Sequence, residues 1–326
     1  MIKIKFIFKQ HQKKLELFLI YFKYFSKKFN VLIDEENPDI IICDSITDYI
    51  NKYDKPIIIC ERIDCCNTWK RDIIIKDNII AVFKEYIPRP LNLLNKSMVR
   101  GRIHFRMICE SFNLDPKKEY KEYKDNEKID IKYLNKLKCV NWNWSQYTHL
   151  SNKYHMKYFR ENSKQIFNLQ KKDIIFAVFR QHISSWDGYS RKKCIEILKQ
   201  SKYKTITITK KQDEKKYIDI LSQSKICISP WGYGERIALD FYAMYCGAIL
   251  IKPNTDFVTA FPDIYQSNKY YVACKWDYSD VEEKIKDILK NYEKYNYMRK
   301  NAKKILDKCN HETLIKHFCN TIHNLF

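Results

Sequence analysis

Glycine is nearly missing from this chain, with five residues in 326, and three of the five (Gly232, Gly234 and Gly247) fall within the stretch "SPWGYGERIALDFYAMYCGAIL", residues 229–250. Cys-x-x-Cys is missing as well, although there are twelve cysteines. Apart from the adjacent Cys65 and Cys66 they are scattered singly along apparent strands and helices, as at Cys43, Cys60, Cys227 and Cys246. That distribution argues against a metal cluster or a disulfide framework and points to buried free thiols in a reducing compartment. No run approaches the roughly 18 apolar residues of a spanning helix. The start, "MIKIKFIFKQHQKK", alternates like a strand and lacks a small-residue cleavage site, so no signal peptide is expected. These absences give the expectation of a soluble, cytoplasmic protein. Internal repeats are also lacking, and so is any dense block of lysine and arginine, despite a formal net charge of +21. Basic proteins attract phosphate in nucleic acid, nucleotides or anionic lipid. Here the lysines are spread over the whole chain, and the joint abundance of Ile, Lys, Asn and Tyr reads as the codon bias of an AT-rich genome.

Apolar content is ample, at 45% of residues, with 24 Tyr and 18 Phe. After the alternating "IKIKFIF", short strand-like runs alternate with helical spacing: "NVLID", "DIIICDS", "KPIIICERID" and "NIIAVFKEY" lie in the first third. Such runs are the mark of parallel strands buried on both faces. From about 90 to 165 the pattern loosens into a charged connection and a segment with Trp142 and Trp144, expected to pack. A second α/β run begins at "KKDIIFAVFRQ" and continues through "KTITIT", "KICISP" and "AILIKP". The tail from 279 is helical and opens on a Ser279-x-x-Glu282 capping box. The expected fold is two doubly wound, Rossmann-like α/β domains facing a cleft, with a helical C-terminus. The divisions expected are 1–165, 166–310, and a last helix, 311–326, packing back on the first domain.

In an open parallel sheet, ligands bind beyond the C-terminal ends of the strands. The glycine-bearing stretch lies at such an end, between strand 225–230 and a helix expected to open at Glu235 and Arg236. Helix N-termini suit anions, and Gly232 and Gly234 allow close backbone approach or positive φ. A phosphate-bearing ligand is the natural occupant, with Tyr233 in the same turn. Glu235 either complements the helix dipole or bonds ligand hydroxyls. Arg236 and Asp240 stand four apart and either pair with each other or face the ligand. Ile237, Phe241, Met244 and Tyr245 form the core stripe.

The segment from "SKICISPWGYGERIALDFYAMYCGAILIKP" to "YYVACKWDYSDVEEKI" resembles the donor-binding half of GT-B glycosyltransferases, in the group-1-like and exostosin-like branch of bacteria and large DNA viruses. The matching positions are Ser229, Pro230, Gly232, Glu235, Asp240, Gly247, Trp276, Asp277, Asp280 and Glu283. The resemblance implies a glycosyltransferase moving sugar from a nucleotide-sugar co-substrate to a glycan or other hydroxyl acceptor, with no further cofactor and no required metal. The chain has no Asp-x-Asp, the usual metal clamp of the other major glycosyltransferase fold. One departure stands out: the family's second carboxylate on this helix, which holds the donor's ribose, is replaced by Tyr242. Cations for the leaving diphosphate are Arg180, Arg191 and Lys210 at strand ends, with Lys211 more simply solvated. If the enzyme inverts, a base must deprotonate the acceptor; Asp64 is the first choice, beside Glu61, with His104 and His182 as rivals. Three other readings stay open: a basic nucleic-acid-binding protein, a glycosyltransferase that modifies DNA, and a GT-B-like fold that has lost activity, which Tyr242 motivates.

Overall fold

The computed structural model describes residues 1–8, 12–44, 53–61, 71–95, 98–99, 102–119, 123–124, 129–141, 154–179, 186–209, 213–232 and 237–326. Two parallel sheets carry the chain. The first is built from β1 (Ile2–Ile7), β2 (Val31–Ile33), β3 (Ile40–Asp44), β4 (Ile57–Cys60), β5 (Ile79–Lys84) and, later in the chain, β9 (Leu137–Cys139). Its order is β2-β1-β3-β4-β5-β9, with every neighbouring pair parallel. Between β5 and β9 lie β6 (Tyr86–Pro88) and the short antiparallel pair β7 (Met98–Val99) and β8 (Tyr123–Lys124). Both central strands, β3 and β4, are buried at every position, as their unbroken apolar runs require.

The second sheet uses β10 (Lys172–Val178), β11 (Thr205–Ile208), β12 (Ser224–Ile228), β13 (Ile249–Pro253) and β15 (Val272–Cys274), in the order β11-β10-β12-β13-β15, again all parallel. The remaining strand, β14 (Val258–Ala260), leaves this sheet and pairs antiparallel with β6, with Thr259 opposite Ile87. Arg89 fastens the same seam. Its backbone N–H donates to Phe257 O at 2.6 Å, and its guanidinium donates to Asp256 O, Val258 O and Asp263. The last helix, His311–His323, packs on the first sheet, where Phe318 sits among Phe6, Phe18, Phe22 and Phe83. Its N-terminus has a true capping box between Asn310 and Thr313.

The expected Ser279–Glu282 box does not form. Tyr278, fully buried at φ 60°, turns the chain there, and the helix Val281–Lys290 starts after Asp280 with no side-chain cap. Nine of the ten described cysteines are buried free thiols, and Cys65 and Cys66 lie outside the described residues. Part of the positive charge serves the fold. Lys171 donates to Ser222 O and Cys246 O, both at 2.5 Å, and Arg299 donates to Gly247 O at 2.5 Å and Phe167 O at 3.3 Å. These carbonyls belong to the C-terminal ends of three helices, where cations offset the negative dipole end.

Candidate functional site

In the second sheet β10 is the first strand in chain order, and its neighbours are the second and third. A 2-1-3-4-5 order reverses its winding between the first and third strands, which leaves a crevice beyond their C-terminal ends. Ser229, Pro230, Trp231 and Gly232 follow β12 directly into that crevice. The helix Trp186–Gln200 reaches the same place, where Arg191 Nε donates to Trp231 O at 2.8 Å. Gly232 has no positive φ. Its value is closeness: an added Cβ would lie 3.2 Å from Arg191 Nη2 and 3.4 Å from Ile237 Cδ1. The missing side chain lets a guanidinium settle on the turn.

Beneath the turn is a polar network sealed from solvent. Ser229 Oγ donates to Asp240 Oδ1 at 2.5 Å, Tyr265 OH donates to Asp240 Oδ2 at 2.9 Å, and Lys252 Nζ lies 3.2 Å from Asp240 Oδ2. All four residues are fully buried, as is Trp231. Burial pushes the Lys252 ammonium below its ordinary pKa, and the Asp240 charge pulls it back up. Lys252 Nζ also lies 4.7 Å from the centre of the Trp231 ring, a cation–π arrangement in a dry setting. Above and beside it, Trp231 stacks on His104 at 4.7 Å, Trp276 at 5.0 Å and Phe257 at 5.8 Å, all within 20° of parallel. His104 rides on the helix Ile103–Ser111, which lies in the chain between β5 and β9 of the first sheet. The turn is thus clamped by both halves of the molecule.

Asp240 has both oxygens engaged by Ser229, Tyr265 and Lys252, and among the described residues it pairs with Lys252. Its helix begins at Ala238, with Ile237 extended at φ −120° as its N-cap. Glu235 and Arg236 therefore precede that helix in sequence instead of opening it. Phe241, Met244 and Tyr245 are buried, with Ile237 half-buried beside them, as the core stripe requires. Tyr242 packs edge-on against Tyr217 at 6.2 Å. Gly247 ends the helix in the left-handed region at φ 69°, where Ala248 N–H donates to Ala243 O and Gly247 N–H to Met244 O. This is a Schellman ending.

In the first half, Glu61 follows β4 and forms a buried ion pair with Lys84 at 3.0 Å. His104 is fully buried, with its ring face on Trp231. Asp64, Arg180, Lys210, Tyr233, Gly234, Glu235 and Arg236 lie outside the described residues, as do His182, Lys211, Trp142 and Trp144. Of the remaining site candidates, Arg191, Gly232 and Asp240 come together at one turn.

Sequence reasoning passed over Lys252, Tyr265 and the Trp231 stack. A signal for the first was available: "AILIKP" and "IALDFYAMYC" each hold one charge inside an apolar run, and the two charges are opposite. Isolated charges in two buried elements call for each other.

No family model and no curated protein matches the chain. Among solved structures it is similar to TarM, with 11% identity over 93% of this chain and 57% of TarM, at a TM-score of 0.44. It is also similar to HepE of Anabaena, solved with UDP-glucose, with 10% identity over 99% of this chain and all of HepE, at a TM-score of 0.44. A third is sucrose-phosphate synthase from Thermosynechococcus elongatus, with 11% identity over 100% of this chain and 99% of that one, at 0.44.

Proposed function

We propose that this chain is a glycosyltransferase of the GT-B kind, transferring a sugar from a nucleotide-sugar donor to a hydroxyl of a glycan acceptor without a required metal. One observation carries the reading. The glycine turn 229–232 sits at the switch point of a 2-1-3-4-5 parallel sheet with a guanidinium packed on its glycine. That is where such sheets bind phosphorylated ligands, and Arg191 supplies positive charge for a leaving diphosphate. In the reaction the bond from the sugar's C1 to the diphosphate oxygen breaks, and the electron pair leaves with the diphosphate. A new C1–O bond forms to the acceptor, whose proton passes to a base. Asp64 is the residue we assign to that base, and Glu235 the one we assign to donor hydroxyls.

The test is thermal shift with UDP, GDP, dTDP and CMP and their sugars, in the presence of a chelator. A ligand specific to the native state stabilises it by about 2.7 kcal/mol at a hundredfold excess over its Kd. We expect one nucleotide family to raise Tm, and Arg191→Ala to abolish the rise measured against its own unliganded Tm. Silence across the panel, with salt-sensitive DNA binding instead, would replace this reading with the nucleic-acid one.

A further inference from the structure

A cavity of about 550 Å³ opens beyond the ends of β13 and β15, lined among others by Asn254, Phe257, Ala273, Trp276 and Asp280, with Met107 closing it from the helix Ile103–Ser111. The cavity is distinct from the Ser229–Gly232 turn but adjoins it through the ring stack, because Trp231 touches both Trp276 and Phe257. Two strand spacings separate β12 from β15, so the cavity lies roughly 10 Å across the sheet from the switch point.

We infer that this cavity is a subsite for a pyranose ring, resting on Trp276 and Phe257 with its hydroxyls toward Asn254 and Asp280. The inference rests on the transferase reading above. A sugar ring is amphipathic, with apolar C–H faces and hydroxyl edges. The lining matches that pattern: aromatic rings form one wall, and an amide and a carboxylate supply polar groups. Trp276 is only partly buried although one face is covered by Trp231, and Phe257 is likewise half-buried. Asn254 uses its Oδ1 to accept from Asp256 N–H, and Asp280 uses Oδ1 to accept from Lys275 N–H. Each keeps further hydrogen-bonding capacity on its other atom. The volume falls within the range of small-molecule sites. The position also favours a sugar over a nucleobase: a group held across the sheet from the switch point, where Met107 of the helix Ile103–Ser111 meets the second sheet's strand ends, would lie at the reacting end of a donor or acceptor.

The experiment titrates the full chain, followed by tryptophan fluorescence, with a nucleoside diphosphate, its nucleotide sugar, and free methyl glycosides with and without the nucleotide. Trp276→Ala is expected to weaken sugar-bearing ligands by roughly threefold to tenfold, the range for losing one ring face, beyond whatever it takes from the bare nucleoside diphosphate by loosening Trp231. Ala273→Leu, which fills the cavity without removing packing, is expected to do the same. A gain confined to the nucleotide sugar identifies the donor's sugar; binding of the free glycoside to the nucleotide complex identifies the acceptor. Parental sugar affinity in both variants, or no sugar binding in any arm, overturns the inference. An equal loss for the bare nucleoside diphosphate also overturns it, by placing the nucleoside there. Free glycoside binding without any nucleotide binding would sink the donor reading while leaving the subsite standing.

Discussion

Replacing Lys252 with Met is the sharpest probe of the network under the turn. The side chain is fully buried, 3.2 Å from Asp240 Oδ2, and Met fills nearly the same volume. The substitution therefore removes a charge and leaves little cavity. Among the described residues, what remains is a buried Asp240 carboxylate held by Ser229 and Tyr265. Orphaning one member of a buried pair costs about 3–5 kcal/mol, a large share of a total stability on the order of 5–15 kcal/mol. The cation–π contact with Trp231 is lost in the same step and is part of that figure, since contacts sharing a residue do not add. Urea denaturation at pH 7 supplies the measurement. The double variant Asp240→Asn, Lys252→Met removes both charges and keeps an amide for Ser229 and Tyr265 to bond. It is expected to recover about 2 kcal/mol or more relative to Lys252→Met alone, as double-mutant cycles of contacting groups allow. A single-variant loss below about 1 kcal/mol, or purely additive effects of the two substitutions, would refute the argument that these two charges compensate each other.

Two further expectations concern the fold. Gly247→Ala puts a Cβ at φ 69° and 2.9 Å from Phe167 Cδ2, so it should cost roughly 1–3 kcal/mol; a Tm within a degree of the parent would contradict the Schellman assignment. Alkaline pH should also destabilise the protein: burial raises the thiols of Cys43, Cys246 and Cys319 from 9.0 to about 12, and those of Cys60, Cys194, Cys227 and Cys274 further or comparably. Their stabilising contribution is intact below pH 9 and is lost above it, because the unfolded chain ionises first, at about 1 kcal/mol per thiol between pH 9 and 10. Lys171, lowered by burial from 10.5 to about 8, works the other way by about 1 kcal/mol over that range, so denaturation midpoints should fall, and equal midpoints at pH 8 and 10 would refute the assignment.

The sequence made most of the fold legible because buried parallel strands announce themselves. β3, β4, β5, β10, β12 and β13 centre on continuous apolar runs, β1 alternates, and each overlies the stretch marked for it. What escaped was short or edge-bound. β9 and β15 are three residues each, too brief for periodicity to separate them from loop. β6 and β14 became strands only by meeting each other across the seam, and local sequence holds no record of that partnership. The helix start at Ala238 was misplaced by three residues because Glu235 and Arg236 favour a first helical turn, whereas Ile237 in extended conformation, packed toward Gly232, sets the boundary. The glycine turn itself was legible, but its chemistry was only half so. Arg191 was expected to open its helix but lies within Trp186–Gln200, from where it reaches the turn, and Asp240, offered to the donor, pairs with Lys252 among the described residues. The stack that joins His104, Trp231 and Trp276 unites residues distant in sequence, which no spacing rule could have gathered.

The buried pair changes what the turn can do. A loop offering backbone to a phosphate must otherwise pay to become ordered when the ligand arrives. Here Ser229 is tied to Asp240, the Trp231 carbonyl is tied to Arg191, and the Trp231 ring is held between His104 and Trp276. The turn is therefore held in place by the protein itself, and in the proposed reaction its donors would need no reorganisation as charge develops. Arg191 gains most from this arrangement. Its Nε bond to Trp231 O fixes the guanidinium from one side and sets Nη2 against the glycine. On the proposed reading, Asp240 would contribute to anion binding as a positioning residue, acting through Ser229 and Lys252. It follows that loosening the platform with Lys252→Met should lower nucleotide affinity even where the protein stays folded. A side chain fully sealed from solvent would then alter a ligand it never touches.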